Sequence, residues 1–180
     1  MNRIKSEIIK YAKMLNSKKL SALRSGNISI RLKEGFLITP SGTKYSSLKK
    51  KDIIYVSLKG KFDKKKGVPS SEWRFHQDIY LNKKEAKAIV HAHSSCATAI
   101  STHGKSIPAF HYMVAVSGGN DIKWAKCATY GTGHLSKAFE LAEEAKNLSH
   151  QYINAVKIGK PKILSFKEMK KVLRKAKNYK

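Results

Sequence analysis

Cysteine is nearly absent from this chain of 180 residues; Cys96 and Cys127 are the only two. Two thiols make no disulfide framework, and both are expected to stay reduced. Long apolar runs are missing too. No stretch approaches the roughly 20 residues a bilayer-spanning helix needs, so no membrane partner is expected. The opening MNRIKSEIIKYAKML alternates charged and apolar positions and lacks the continuous apolar centre of a signal peptide, so the expected location is cytoplasmic. Acidic residues are scarce, 12 against 37 basic, for a formal net charge of +25. Arginine, the better fork for bases and phosphates, is scarce as well and occurs only at Arg3, Arg24, Arg31, Arg74 and Arg174. The lysines are scattered, with triplets only at 49–51 and 64–66. That distribution describes a solvated lysine-rich surface, and no specific nucleic-acid partner is expected beyond salt-sensitive sticking.

What is present is a mixture of helical and strand patterns in one expected domain, 1–180, long enough to bury a core. Ile4, Ile8, Tyr11, Ala12 and Leu15 predict an amphipathic first helix. NISIRLKEGFLITP reads as a hairpin turning at Lys33-Glu34-Gly35, and DIIYVSL as a further strand. SSEWRFHQDIYLN predicts a helix after Pro69, capped by Ser70 or Ser71. AKAIVHAHS predicts a strand and SSCATAIS a serine-capped helix. A stripe from Leu135 to Val156 predicts a long helix ended by Gly159 and Pro161. Ser165 and Glu168 then predict a capping box at the start of the last helix.

The stretch AIVHAHSSCATAI carries the first chemical signal. On a strand, residues two apart share a face, so His91 and His93 would stand side by side as two corners of a tetrahedral metal site. Two hydrogen-bonded histidines on a half-buried strand satisfy the same pattern. GNIS (26–29), ITPSG (38–42) and PSSEW (69–73) place small and hydroxyl residues at element ends, where backbone N–H groups and hydroxyls can hold a phosphate. Each of these alone also reads as a turn or a cap.

Taken in order, SGNIS, FLITPSG, PSSEWRFHQDIY, AIVHAHSSCATAIS and IPAFHYMVAVSGGNDIKWAKCATYGT resemble the class II aldolase/adducin family over nearly the whole chain. FHYM and SGGNDI look more like its fuculose-phosphate aldolase branch than its epimerase branch. The resemblance implies an α/β fold of three layers, αβα, with a central, mostly antiparallel sheet flanked by helices. It implies zinc (Zn2+) bound by His91 and His93, and Glu72 as the catalytic acid/base. It further implies a substrate phosphate held by Asn27, Ser41, Gly42, Ser70 and Ser71. Tyr112 matches a tyrosine that reaches a neighbouring subunit's site as a proton donor, so a homo-oligomer, commonly a tetramer, is expected. The implied reaction is retro-aldol cleavage of a small sugar phosphate through a metal-stabilised enediolate. The bland reading of Glu72 is an acid favoured by a helix N-terminus.

One family feature is missing. The third zinc histidine normally sits in an NHG after the YGT segment, whereas this chain passes from ATYGT almost directly into GHLSKAFELAEEA and contains no NHG. Three outcomes follow: His134 substitutes, Glu72 and water complete the site, or the fold is kept for a non-catalytic binding or assembly role. An epimerase or dehydratase using the same enediolate chemistry is a further alternative. His76, His103 and His150 read as surface or packing residues, and His111 as a neighbour that orients Tyr112.

Overall fold

A computed structural model describes residues 1–22, 25–117, 119–124, 131–132 and 135–177, so Cys127 and His134 lie outside the described residues. The described chain falls into two compact units, one of residues 1–93 and 129–142, the other of 94–128 and 143–180.

The first unit is built on a five-stranded antiparallel sheet with strand order β3-β2-β1-β4-β5. The strands are β1 (Asn27–Arg31), β2 (Gly35–Ile38), β3 (Ile54–Ser57), β4 (Ala88–His91) and the two-residue β5 (Gly131–Thr132). β1 and β2 form the expected hairpin, and β1 also pairs with β4 in a register that sets Asn27 opposite His91 and Ile30 opposite Ala88. β3 lies at an edge, with β2 as its neighbour, and its flanking lysine triplets at 49–51 and 64–66 are exposed.

Helices cover both faces of this sheet, so the three-layer expectation holds. Ile8, Ala12 and Leu15 of α1 (Asn2–Ser17) cluster with Ile28, Leu37 and Ala88 from one face. Ile79 and Tyr80 of α2 (Trp73–Asn82) cluster with Phe36, Ile38, Val56 and Ile89 from the other. The strand period explains the sorting, because alternate residues of β1, β2 and β4 go to opposite cores. In β1 the alternation leaves Ile28 toward α1 and buried Ser29 toward α2, where Ser29 meets Tyr80 and His76. α2 therefore covers a partly polar strand face, and each buried polar group there needs a partner.

Two local expectations change. At the start of α2, Glu72 occupies the cap position without a side-chain cap bond; the preceding turn is instead closed by Trp73 N–H donating to Ser70 O at 3.0 Å. β4 ends at His91, leaving His93 beyond the strand.

The second unit contains α3 (Ser95–Thr102), a 3-10 turn at Tyr112–Ser117, most of α4 (Leu135–Ile158) and α5 (Phe166–Lys177). Ser94 stands at the cap position of α3, yet its hydroxyl makes no cap bond. Ala109, Val114, Ala115, Leu148 and Met169 form its core. At α5 the capping box is realised: Ser165 N–H donates to Glu168 Oε2 at 2.7 Å, and Glu168 N–H to Ser165 Oγ at 3.3 Å. Cys96 is a free thiol. Among the described residues no helix is long and apolar enough to cross a membrane.

Candidate active site

Two chain crossings build a cleft at one end of β1 and β2. Ser41 N–H donates to Val68 O and Ser70 N–H to Thr39 O, both at 3.0 Å, which ties the residues after β2 to those before α2. Gly26 precedes β1 with a φ of 79°, and a Cβ there would lie 2.7 Å from His91 O and 2.5 Å from Ser21 Oγ. Glycine is thus required by both conformation and close approach. Gly42 also has a positive φ, 68°, but faces open space, so its need is conformational alone.

The cleft has a volume of about 170 Å³, room for a small anionic group. Asn27, Ser41, Gly42, Ser70 and Ser71 all line it, and Glu72 and His93 stand on its wall. Every residue that the sequence marked for phosphate binding is therefore brought together, although they come from three separate segments.

Next to the cleft, Glu72, His91 and His93 each offer a ligand atom, and these atoms lie within 4.8 Å of one another. His91 Nε2 is 3.5 Å from Glu72 Oε2 and 2.8 Å from His93 Nε2. A tetrahedral cation with bonds of about 2 Å separates its ligand atoms by about 3.3 Å, so two imidazoles and a carboxylate at these spacings suit a divalent metal. His91 and His93 thus approach to hydrogen-bond distance, a contact that a cation between the two nitrogens would replace. Burial holds the His91 pKa below the ordinary histidine value, opposed by Glu72 and assisted by His93. A neutral ring is the form that ligates. His93 keeps its place beyond the strand because its N–H donates to Ser21 Oγ at 3.0 Å.

His76 is the residue that sequence reasoning missed. It is fully buried, with Nδ1 2.6 Å from Ser29 Oγ and Nε2 2.5 Å from Asn27 Oδ1. Desolvation, with a smaller contribution from His91, lowers its pKa to about 3. Asn27 Nδ2 in turn donates to Glu72 Oε2 at 2.5 Å. Its burial comes from partners on β1, distant in sequence, and no local pattern announces it.

Tyr112 belongs to the second unit, where it is 57% exposed at the start of its 3-10 turn. Its ring centroid lies 4.6 Å from that of His111.

Comparison with known proteins is consistent with this geometry. The family described as the class II aldolase and adducin N-terminal domain matches residues 6–156. A 5-methylthioribulose-1-phosphate/5-deoxyribulose-1-phosphate aldolase of Rhodospirillum rubrum is 36% identical over 96% of this chain and 90% of its own length. An L-fuculose phosphate aldolase of Escherichia coli K12 is 39% identical over 91% of this chain and 77% of its own. The solved structure of an L-fuculose 1-phosphate aldolase superposes with a TM-score of 0.90 at 29% identity, covering 98% of this chain and 97% of that one.

Proposed function

The chain belongs to the class II aldolase and adducin family, and from that premise we propose that it is a zinc-dependent aldolase cleaving a small phosphorylated ketose. The observation that carries this reading is the convergence of Asn27, Ser41, Gly42, Ser70 and Ser71 on one cleft, with Glu72 and His93 on its wall. Two relatives, named as aldolases of a ribulose 1-phosphate and of a fuculose phosphate, support a ketose phosphate as substrate.

In this reading the phosphate sits among the three serines, Asn27 and Gly42, which fixes the substrate remote from the bond that breaks. His91 and His93 would hold the zinc, with Glu72 beside them. A bound divalent cation would supply Lewis-acid polarisation of the substrate oxygens as negative charge develops. Retro-aldol cleavage takes the proton from the hydroxyl on the departing carbon, breaks one C–C bond and releases an aldehyde, and in our reading Tyr112 of a neighbouring copy receives that proton. The three-carbon ketose phosphate left behind takes up a proton at the broken carbon, and Glu72 is placed to carry it. Tyr112 is the proton donor in the reverse, condensing direction, acting in a neighbouring copy, so the chain works as a homo-oligomer, a tetramer in our reading. We read 1–180 as one functional domain and the location as cytoplasmic.

Among the described residues no third histidine joins Glu72, His91 and His93. The test is zinc per chain by elemental analysis, followed by a screen of ketose 1-phosphates for release of a three-carbon ketose phosphate. Near-stoichiometric zinc with turnover is expected. Zinc-free protein that cleaves none of them would favour the non-catalytic, binding reading.

A further inference from the structure

The buried chain behind Glu72 has a direction. The Asn27 atom facing Glu72 Oε2 is the amide nitrogen, which donates to that carboxyl oxygen. Asn27 Oδ1 then faces His76 Nε2, and a carbonyl oxygen needs a donor there. His76 therefore carries its hydrogen on Nε2. In a neutral ring that makes Nδ1 an acceptor, which Ser29 Oγ supplies with a hydrogen from 2.6 Å. Ser29 Oγ in its turn accepts from the Tyr80 hydroxyl at 2.7 Å. Every bond in the series donates toward Glu72, and Ser29, His76 and Tyr80 are all buried.

We propose that His76 is a positioning residue: its Nε2–H, oriented from behind by Ser29 and Tyr80, locks the Asn27 amide with Nδ2 toward Glu72. Asn27 also lines the cleft, and Nδ2 has a second hydrogen left for a ligand. One amide group thus serves both the anion seat and the carboxylate. Without the His76 donor the amide is free to turn over. Its carbonyl oxygen would then face the Glu72 carboxylate and the bound anion, and both contacts would be repulsive. The functional half of this inference rests on the cleft being the phosphate seat proposed above.

The experiment pairs two substitutions with a measurement on the unaltered protein. A glutamine amide reaches the place of Nε2 and can still donate to Asn27, whereas an asparagine amide reaches only the place of Nδ1. With inorganic phosphate as the calorimetric probe, His76→Gln is expected within a few-fold of wild type and His76→Asn about tenfold weaker, the loss of one hydrogen bond. In the wild-type protein, long-range nitrogen NMR of the histidine rings is expected to show His76 as the Nε2–H tautomer, with the Asn27 amide proton that faces Glu72 exchanging slowly. A ring protonated on Nδ1 alone would overturn the proposal. So would equal loss of phosphate affinity in the two variants, which is what a purely structural histidine gives. Wild-type protein with no affinity for phosphate would sink the cleft reading instead, and the tautomer and the Asn27 amide proton would still decide the amide lock.

Discussion

His76 and the His91–His93 pair belong to one unit of the molecule and have opposite surroundings. His76 is fully buried and has a hydrogen-bond partner at each ring nitrogen. His91 is half-buried and His93 exposed, and their Nε2 atoms face one another. The difference teaches what each can do. Enclosure with both nitrogens engaged leaves a histidine no lone pair for a metal, so its use is to hold another group. Partial enclosure keeps a ring neutral yet open on one side, which is the condition for ligation.

The largest expected effect strikes the open pair. His91→Ala should abolish metal binding and lower turnover of the cleaved ketose phosphate by at least about 100-fold, since losing even a supporting partner of a metal ligand costs 10–100-fold. Elemental analysis and a coupled assay for the three-carbon product check this, and activity within twofold of wild type would break the contrast.

At the enclosed histidine the damage should appear first as stability. His76→Leu leaves Asn27 Oδ1 without its donor and Ser29 without its acceptor, a cost of about 2 kcal/mol. Urea unfolding should show it whether or not metal is present.

The pH dependence sharpens the comparison further. The folded pKa of His76, about 3, lies below the ordinary 6.5. The unfolded chain therefore binds the extra proton first, and this contribution is fully present above pH 6.5 and lost as pH falls. Stability should decline by up to about 1.4 kcal/mol per pH unit between about pH 6 and pH 3. Urea midpoints for His76→Gln should decline less steeply; parallel curves would show that His76 is not the residue responsible.

The smallest effect belongs to the second unit. Ser165→Ala removes the capping box of α5 and should shift the urea midpoint less than any change above, with phosphate affinity untouched. A loss of phosphate affinity there would mean that the cleft is not confined to the residues that line it.

These cases also mark how far sequence reasoning reaches. The α1 stripe and the Ser165–Glu168 box were legible because both are local, set within one or two helical turns. The phosphate candidates were legible through resemblance, and their convergence then depended on hydrogen bonds linking Thr39 and Ser41 to Val68 and Ser70. The His91–His93 pairing was anticipated for an incomplete reason. The strand ends at His91, and Ser21, 72 residues away in sequence, holds His93 in place. His76 was illegible. It read only as a surface or packing residue, and it is strand β1, turning Ser29 and Asn27 toward α2, that gives it buried polar partners.

The edge strand β3 has its own consequence. A strand with one neighbour displays a row of unpaired backbone groups to which a second chain can add. Here one lysine triplet, 49–51, precedes that strand in sequence and the other, 64–66, follows it, both exposed. A second copy approaching edge to edge would press like charges together before any backbone bond formed. The scattered positive charge would thus act at this edge as a guard against aggregation, and one that high salt would weaken.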